Sequence, residues 1–241
     1  MIHRIDYVFA CHRGRVRMTN QDNLCCDGFC LPREHEGVPL RAGSAAPDEA
    51  RLFAVFDGTG GEEMGEAAAY IAARTFRGRM MDRGESSLAE ACLEANRRIA
   101  AFAERARLKC GCTAAMLLFD GRGAAWCGIG DSRICRLRSG GIEYLSEDDV
   151  FPARRGGKAP LLQYLGIPEK EMLIVPHTGR VSLAPGDTYF VCTDGLTDMV
   201  PEKRLAGAGA MPLAEAGEKL MKEALDLGGR DNITFCLIRP A

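Results

Sequence analysis

Leu52-Phe53-Ala54-Val55-Phe56-Asp57-Gly58-Thr59-Gly60-Gly61 is the stretch on which the fold turns. Its first five residues form an unbroken apolar run, too short for a typical helix and suited to a buried strand. The run stops at an aspartate followed by glycines, which permit backbone angles forbidden to other residues.

Downstream of this stretch, apolar positions recur at helical spacing in two segments. Ala67, Ala68, Ile71, Ala72, Thr75 and Phe76 predict a helix over Glu62 to Met81. Leu88, Ala91, Cys92, Ala95, Ile99, Phe102 and Ala106 predict another over Leu88 to Leu108. Ser86 and Ser87, with Glu90 three residues after Ser87, read as a capping box that starts this second helix. A β region begins at Cys112, with short strands expected over Thr113 to Phe119, Gly123 to Ile129, Arg133 to Arg138 and Ile142 to Leu145. Asp-Gly, Gly-Asp and Ser-Gly-Gly turns separate them. Phe151 to Pro160 is a basic loop bearing Gly and Pro, and strands resume at Met172 to Val181 and Thr188 to Thr193. An amphipathic helix over Pro212 to Leu227 and a strand over Asn232 to Arg239 close the pattern.

Upstream, Ile5 to Cys11 and Asn23 to Leu31 read as strands, and Pro32 to Ala50 as an exposed excursion rich in Pro, Gly and charge. Strands in meanders with helices segregated between them predict an α+β fold with antiparallel sheets, not a doubly wound parallel sheet.

The 241 residues carry no internal join and are read as one domain, 1–241. An apolar content of 46% against 27% charged residues excludes wholesale disorder. Thirty-one basic residues against thirty-three acidic leave no positive excess to displace counterions, so a nucleic-acid partner is not expected. No apolar run approaches the roughly 20 residues of a membrane span. The charged opening Met1-Ile2-His3-Arg4-Ile5-Asp6 is unlike a signal peptide, and a cytoplasmic protein is expected.

Eleven cysteines, an odd number, cannot all pair within one chain. There is no CxxC pair; the nearest clusters are Cys25-Cys26-x3-Cys30 and Cys110-Gly111-Cys112, and the four histidines lie far apart. That spacing disfavours zinc. Cys127, Cys135, Cys192 and Cys236 fall inside apolar strand-like runs and read as small core residues in a reducing compartment.

Four aspartates mark strand ends. Asp57 follows Leu52 to Phe56, Asp131 follows Trp126 to Gly130, Asp194 follows Tyr189 to Thr193, and Asp231 precedes Asn232 to Ile238. In antiparallel sheets the end of one strand lies beside the start of its neighbour, so all four can meet at one edge. Gathered carboxylates repel and raise each other's pKa unless a cation intervenes. Oxygen ligands without nearby His or Cys favour Mg²⁺ or Mn²⁺ over Zn²⁺. Taken singly, each Asp-Gly or Gly-Asp-Ser is as well read as a turn.

In order and combination these segments resemble the metal-dependent Ser/Thr protein phosphatases of the PP2C (PPM) family, bacterial type. The matching pieces are Arg17-x-x-Asn20-Gln21-Asp22, Asp57-Gly58-x-Gly60-Gly61, Gly111-Cys112-Thr113, Gly130-Asp131-Ser132-Arg133, Cys192-Thr193-Asp194-Gly195-Leu196 and Gly229-x-Asp231-Asn232-Ile233-Thr234. The resemblance implies a four-layer α-β-β-α sandwich of two antiparallel sheets flanked by helices, with two Mn²⁺ or Mg²⁺ ions at one edge. It implies that Asp57 bridges both ions and orients the nucleophilic water, that the Gly58 carbonyl binds one ion, and that Asp194 and Asp231 bind the other. Asp131 matches the residue for a weaker third metal, and Asp22 acts through metal-bound water. By the same resemblance Arg17 would clamp the substrate phosphate, and Asn232 would support the site beside Asp231. The implied partner is a phosphoserine or phosphothreonine protein, the product of a Ser/Thr kinase, and the implied unit a monomer.

The match has departures. Thr59 stands where many relatives carry His, and a hydroxyl of high pKa is a poor general acid. Gln21 replaces a carboxylate found in some relatives, and Asp149 follows Asp148 where His is usual. Phe151 to Pro160 is short for the family's flap, and its Arg154, Arg155 and Lys158 read better as a solvated loop than as a peptide contact. Arg13 and Arg15 precede Arg17, on which alone the phosphate role is placed. The alternative to a phosphatase is a phosphatase-like binding or regulatory module with little turnover, supported only by Thr59 and Gln21. Hydrolysis of a small phosphorylated metabolite stands as a third reading.

Overall fold

The computed structural model describes residues 2–47, 49–59, 64–77, 85–152 and 159–241. In chain order they form β1 (Ile5–His12), β2 (Asn23–Cys26), β3 (Phe29–Cys30), β4 (Gly37–Ala45), β5 (Arg51–Phe56), β6 (Gly58–Thr59), α1 (Gly65–Arg77) and α2 (Glu85–Ala106). Then follow β7 (Gly111–Cys112), β8 (Ala114–Phe119), β9 (Ala124–Ile129), β10 (Arg133–Arg138), β11 (Gly141–Tyr144), β12 (His177–Val181) and β13 (Thr188–Cys192). The chain ends with α3 (Asp194–Thr197), α4 (Glu202–Gly207), α5 (Leu213–Asp226) and β14 (Ile233–Pro240).

Two six-stranded antiparallel sheets form, in the orders β11-β10-β13-β14-β1-β4 and β12-β9-β8-β5-β2-β3; β6 and β7 make a small separate pair. Side chains alternate across a strand, so each central strand feeds two cores. In β5, Phe53 and Val55 point between the sheets to meet Tyr7, Phe9, Tyr189 and Val191, while Ala54 and Phe56 face α1 and α2. In β14, Cys236 and Ile238 face the inter-sheet core, whereas Ile233, Phe235 and Leu237 meet α3, α4 and α5. The order of layers is therefore helices, sheet, sheet, helices, as the resemblance implies. The buried face of α1 is mostly alanine, which lets the helix lie close on the sheet, and Phe76 packs at a tilt against Phe56 with ring centroids 5.5 Å apart.

Several expected boundaries change. Asn23 to Leu31 is a hairpin, not one strand: Asp27 and Gly28 have φ of 47° and 77°, as a two-residue primed turn requires. Pro32 to Ala50 is not a bare excursion, because it contains β4, an edge strand paired with β1. The β1–β4 register slips between Phe9 and Cys11, opposite Pro39 and Leu40, so the proline sits at a bulge where no ladder donor is needed. Of Met172 to Val181 only His177–Val181 is strand. The second helix starts at Glu85, so Ser87 lies within its first turn and does not cap it. Residues 62–63 and 78–81 of the first expected helix lie outside the described residues. The short helices α3 and α4 had no periodic signal. Among the described residues no helix is long and apolar enough to cross a membrane.

Candidate metal centre

The antiparallel arrangement brings strand ends from both sheets to one edge. Asp57 leaves β5, Asp131 sits in the β9–β10 turn, Asp194 opens α3 after β13, and Asp231 stands just before β14. Carboxylate oxygens of Asp57, Asp131 and Asp194 all lie within 4.8 Å of one another, with Asp131 and Asp194 buried and Asp57 half-buried. Gly195 makes this approach possible: a Cβ there would lie 1.9 Å from the Asn232 carbonyl oxygen, so only glycine lets α3 start against the Asp231-Asn232 turn.

Asp231 stands outside that trio and faces Arg17. Its Oδ2 accepts from Arg17 Nη2 at 2.7 Å and its Oδ1 from the Asn232 amide at 2.8 Å. The hydrogen bond to Asp231 raises the Arg17 guanidinium, burial opposes this, and the charges of Asp231, Asp57 and Asp194 add to it. Geometry thus groups Asp131 with Asp57 and Asp194, and Asp231 with Arg17. Arg17, Gln21, Asp57, Gly58, Asp131 and Asp231 line one cleft of about 330 Å³, closed on one side by Ala159, Pro160 and Leu161. Arg154, Arg155 and Lys158 lie outside the described residues.

Asn232 holds the Arg17 loop in place. Its Nδ2 donates to the carbonyls of Arg13 (2.7 Å) and Thr19 (3.0 Å), and its Oδ1 accepts from the Gln21 amide (2.8 Å). The Gly58 amide in turn donates to the Gln21 carbonyl at 3.2 Å. Asp22 lies deeper. Its Oδ2 accepts from Thr193 Oγ1 (2.9 Å) and Thr234 Oγ1 (2.6 Å), while its buried Oδ1 has no hydrogen-bond partner among the described residues. Burial pushes its pKa up to about 7; the two hydroxyls pull it down, and the charges of Asp231 and Asp194 push it further up.

Several residues that position the acids were not singled out from the sequence. Thr113 Oγ1 accepts from the Asp57 amide at 3.2 Å and shares a 2.6 Å hydrogen bond with Ser132 Oγ, tying the Asp57 turn to the Asp131 turn. Buried Asp149 accepts from the Gly130 amide (3.0 Å) and from Gln163 Nε2 (2.9 Å), and contacts His177 Nε2 (2.8 Å). It therefore joins the Asp131 turn to β12 and to the far stem of the flap. The hydroxyls stood inside quoted motifs, but only the fold shows that they aim at carboxylates.

The donor set fits a hard divalent cation. Ligand oxygens about 2.0–2.6 Å from one ion lie within about 5 Å of each other, as these three do. All are carboxylate oxygens, the mark of Mg²⁺ or Mn²⁺ and not of Zn²⁺.

Residues 41–226 match the family model for protein phosphatase 2C. The chain belongs to the protein phosphatase 2C family. Among curated relatives, it is 29% identical over 245 residues to the serine/threonine protein phosphatase PstP of Mycobacterium tuberculosis, with 95% of this chain and 43% of that protein covered. It thus spans less than half the length of that relative. The serine/threonine phosphatase stp of Listeria welshimeri is 25% identical over 253 residues, covering 95% of this chain and 94% of that one. Among solved structures, the catalytic domain of PstP in complex with two manganese ions superposes with a TM-score of 0.78 at 27% identity over 98% of both chains. The family fold accounts for the two stacked sheets.

Proposed function

We propose that this chain is a metal-dependent protein serine/threonine phosphatase that hydrolyses phosphoserine and phosphothreonine esters through a metal-activated water. The observation that carries the reading is the convergence of buried Asp194 with Asp57 and Asp131, the two acids of that trio that line the cleft together with Arg17. Two Mn²⁺ or Mg²⁺ ions, when bound, offset the charge of these acids and of the phosphate and make water a usable nucleophile near neutral pH.

This chain's residues do the rest. Asp57, the Gly58 carbonyl, Asp194 and Asp231 would hold the two ions, Asp231 on release from Arg17, and Asp131, which lies with Asp57 and Asp194, would serve a weaker third. Asp22 would act through metal-bound water. Arg17 presents a planar guanidinium that can give two parallel hydrogen bonds to phosphate oxygens, exchanging its bond to Asp231 for them. Thr59 lines the cleft with a hydroxyl unsuited to general acid work, so water protonates the leaving alcohol. A phosphoprotein made by a Ser/Thr kinase is the substrate this chemistry suits. Eleven free thiols suit a reducing compartment, which supports a cytoplasmic setting. One layered sandwich drawing residues from Ile5 to Ile238 into its cores supports a single domain.

A second reading, a binding module with little turnover, draws on the Arg17–Asp231 pair, which engages the phosphate clamp and an acid of the site with each other. Steady-state assay on a phosphothreonine peptide separates the two. The phosphatase reading expects turnover that needs Mn²⁺ or Mg²⁺ and stops with EDTA; peptide binding without phosphate release would favour the module.

A further inference from the structure

Ten of the eleven cysteines are buried, and the exception, Cys30, is directly cross-strand from Cys25. The two flank the Asp27-Gly28 turn, one residue further out on each strand than the closing Cys26–Phe29 pair. The Asp27 amide donates to Leu52 of β5, and amide directions alternate along a strand, so the Cys25 amide also points toward β5 and away from Cys30. Cys25 and Cys30 are therefore a non-hydrogen-bonded pair, the closely spaced kind, with Cα atoms about 4.5 Å apart. That separation falls within the roughly 4.4–6.8 Å range that a disulfide spans. Both side chains leave the sheet on the face covered by α1: Cys25 packs among its alanines, and the Cys30 thiol donates to the Ala73 carbonyl at 3.6 Å.

The pair is also divided chemically. The hydrogen bond from the Cys25 thiol lowers the Cys30 pKa, burial opposes this, and the Arg77 and Arg74 guanidinium groups lower it further. Its partner Cys25 is raised well above an ordinary thiol by the same hydrogen bond and then by burial. Cys30 is half-buried and loses its proton more readily than an ordinary thiol; Cys25 is buried and holds its proton more tightly.

We infer that Cys25 and Cys30 form a peroxide-reactive dithiol that closes to a reversible disulfide across the β2–β3 hairpin. Cys30 thiolate attacks one oxygen of a hydroperoxide, the O–O bond breaks, and Cys30 sulfenic acid and hydroxide form. The Cys25 sulfur then displaces hydroxide from the Cys30 sulfur, and its proton leaves with that hydroxide as water. Two thiols lose two electrons and the peroxide gains them; a small dithiol reverses the step by exchange. The acidic edge takes no part, so the inference stands apart from the phosphatase reading.

The test uses the whole chain treated with hydrogen peroxide, then alkylated under denaturing conditions and cut with trypsin. Cleavage after Arg17 and Arg33 releases one peptide holding Cys25, Cys26 and Cys30. The expected product is lighter by two hydrogens, carries one alkyl group, placed on Cys26, and returns to three alkyl groups after dithiothreitol. Cys25→Ala is expected to leave a Cys30 sulfenic acid that dimedone traps, and Cys30→Ser to leave Cys25 unoxidised. Should a variant not fold, the wild-type mass shift alone decides. Three alkyl groups after peroxide, a link to Cys26, or Cys30 driven to sulfinic acid with Cys25 still alkylated would overturn the inference.

Discussion

Strands β8 and β13 have opposite fates at their two ends. At the far end from the cleft, Asp120 follows β8 and Asp187 precedes β13, both fully buried and each gripped by its own arginine. Arg180 meets both oxygens of Asp120 at 2.9 and 2.7 Å, and Arg138 meets both of Asp187 at 2.6 and 2.7 Å. Burial works to raise these two carboxyls, but the guanidinium hydrogen bonds overcome it and leave both below the usual range. At the cleft end, Thr113 precedes β8 and Asp194 follows β13, and there acids are drawn to one another. Burial thus accompanies a staple at one end and, at the other, a cluster of two buried acids and half-buried Asp57 whose like charges a cation would relieve. What differs between the two ends is the partner: an arginine for each acid at one, further acids at the other.

The two ends should respond in opposite ways to substitution. Asp57→Asn is expected to cut Mn²⁺-supported turnover of a phosphothreonine peptide by about a thousandfold or more. Without metal it should melt no lower than the parent, and higher by an amount on the order of 1 kcal/mol, because a repelling charge is gone. Arg180→Ala should do the reverse: it leaves Asp120 buried without its partner and costs about 2–3 kcal/mol in urea unfolding, with kcat little changed where the protein stays folded. A fall in metal-free stability for Asp57→Asn, or a lost turnover for folded Arg180→Ala, would break the contrast.

Smaller changes sharpen it. Thr234→Val removes one of two hydroxyls on Asp22 and should cost about 1–2 kcal/mol, with a weakened response to Mn²⁺ read as a smaller rise in melting temperature. His177→Gln keeps a donor within reach of Asp149 and should shift stability by only about 0.5 kcal/mol, visible in the same urea curves.

The contrast also explains what sequence alone could reveal. The Leu52 to Phe56 strand was legible because both its faces are buried and its apolar run is unbroken. Helix α1 was legible because its alanines keep one face. Strand β4 was not: at a sheet edge its burial alternates weakly, and a bulge at Pro39 carries the loop-like residue. At the site, Asp57, Asp131, Asp194 and Asp231 were found because they flank apolar runs. Their division into a trio and an Arg17 partner was not, since it depends on side-chain directions set by long-range packing. Asp149 was noticed only as a departure, and its grip on Gly130 belongs to the folded chain.

Calorimetric titration of the metal-free chain with Mn²⁺ probes the acidic edge most directly. Saturable binding of two or more ions that Asp57→Asn abolishes is the predicted result. Heats no larger than those of dilution, or binding that Asp57→Asn leaves intact, would contradict it.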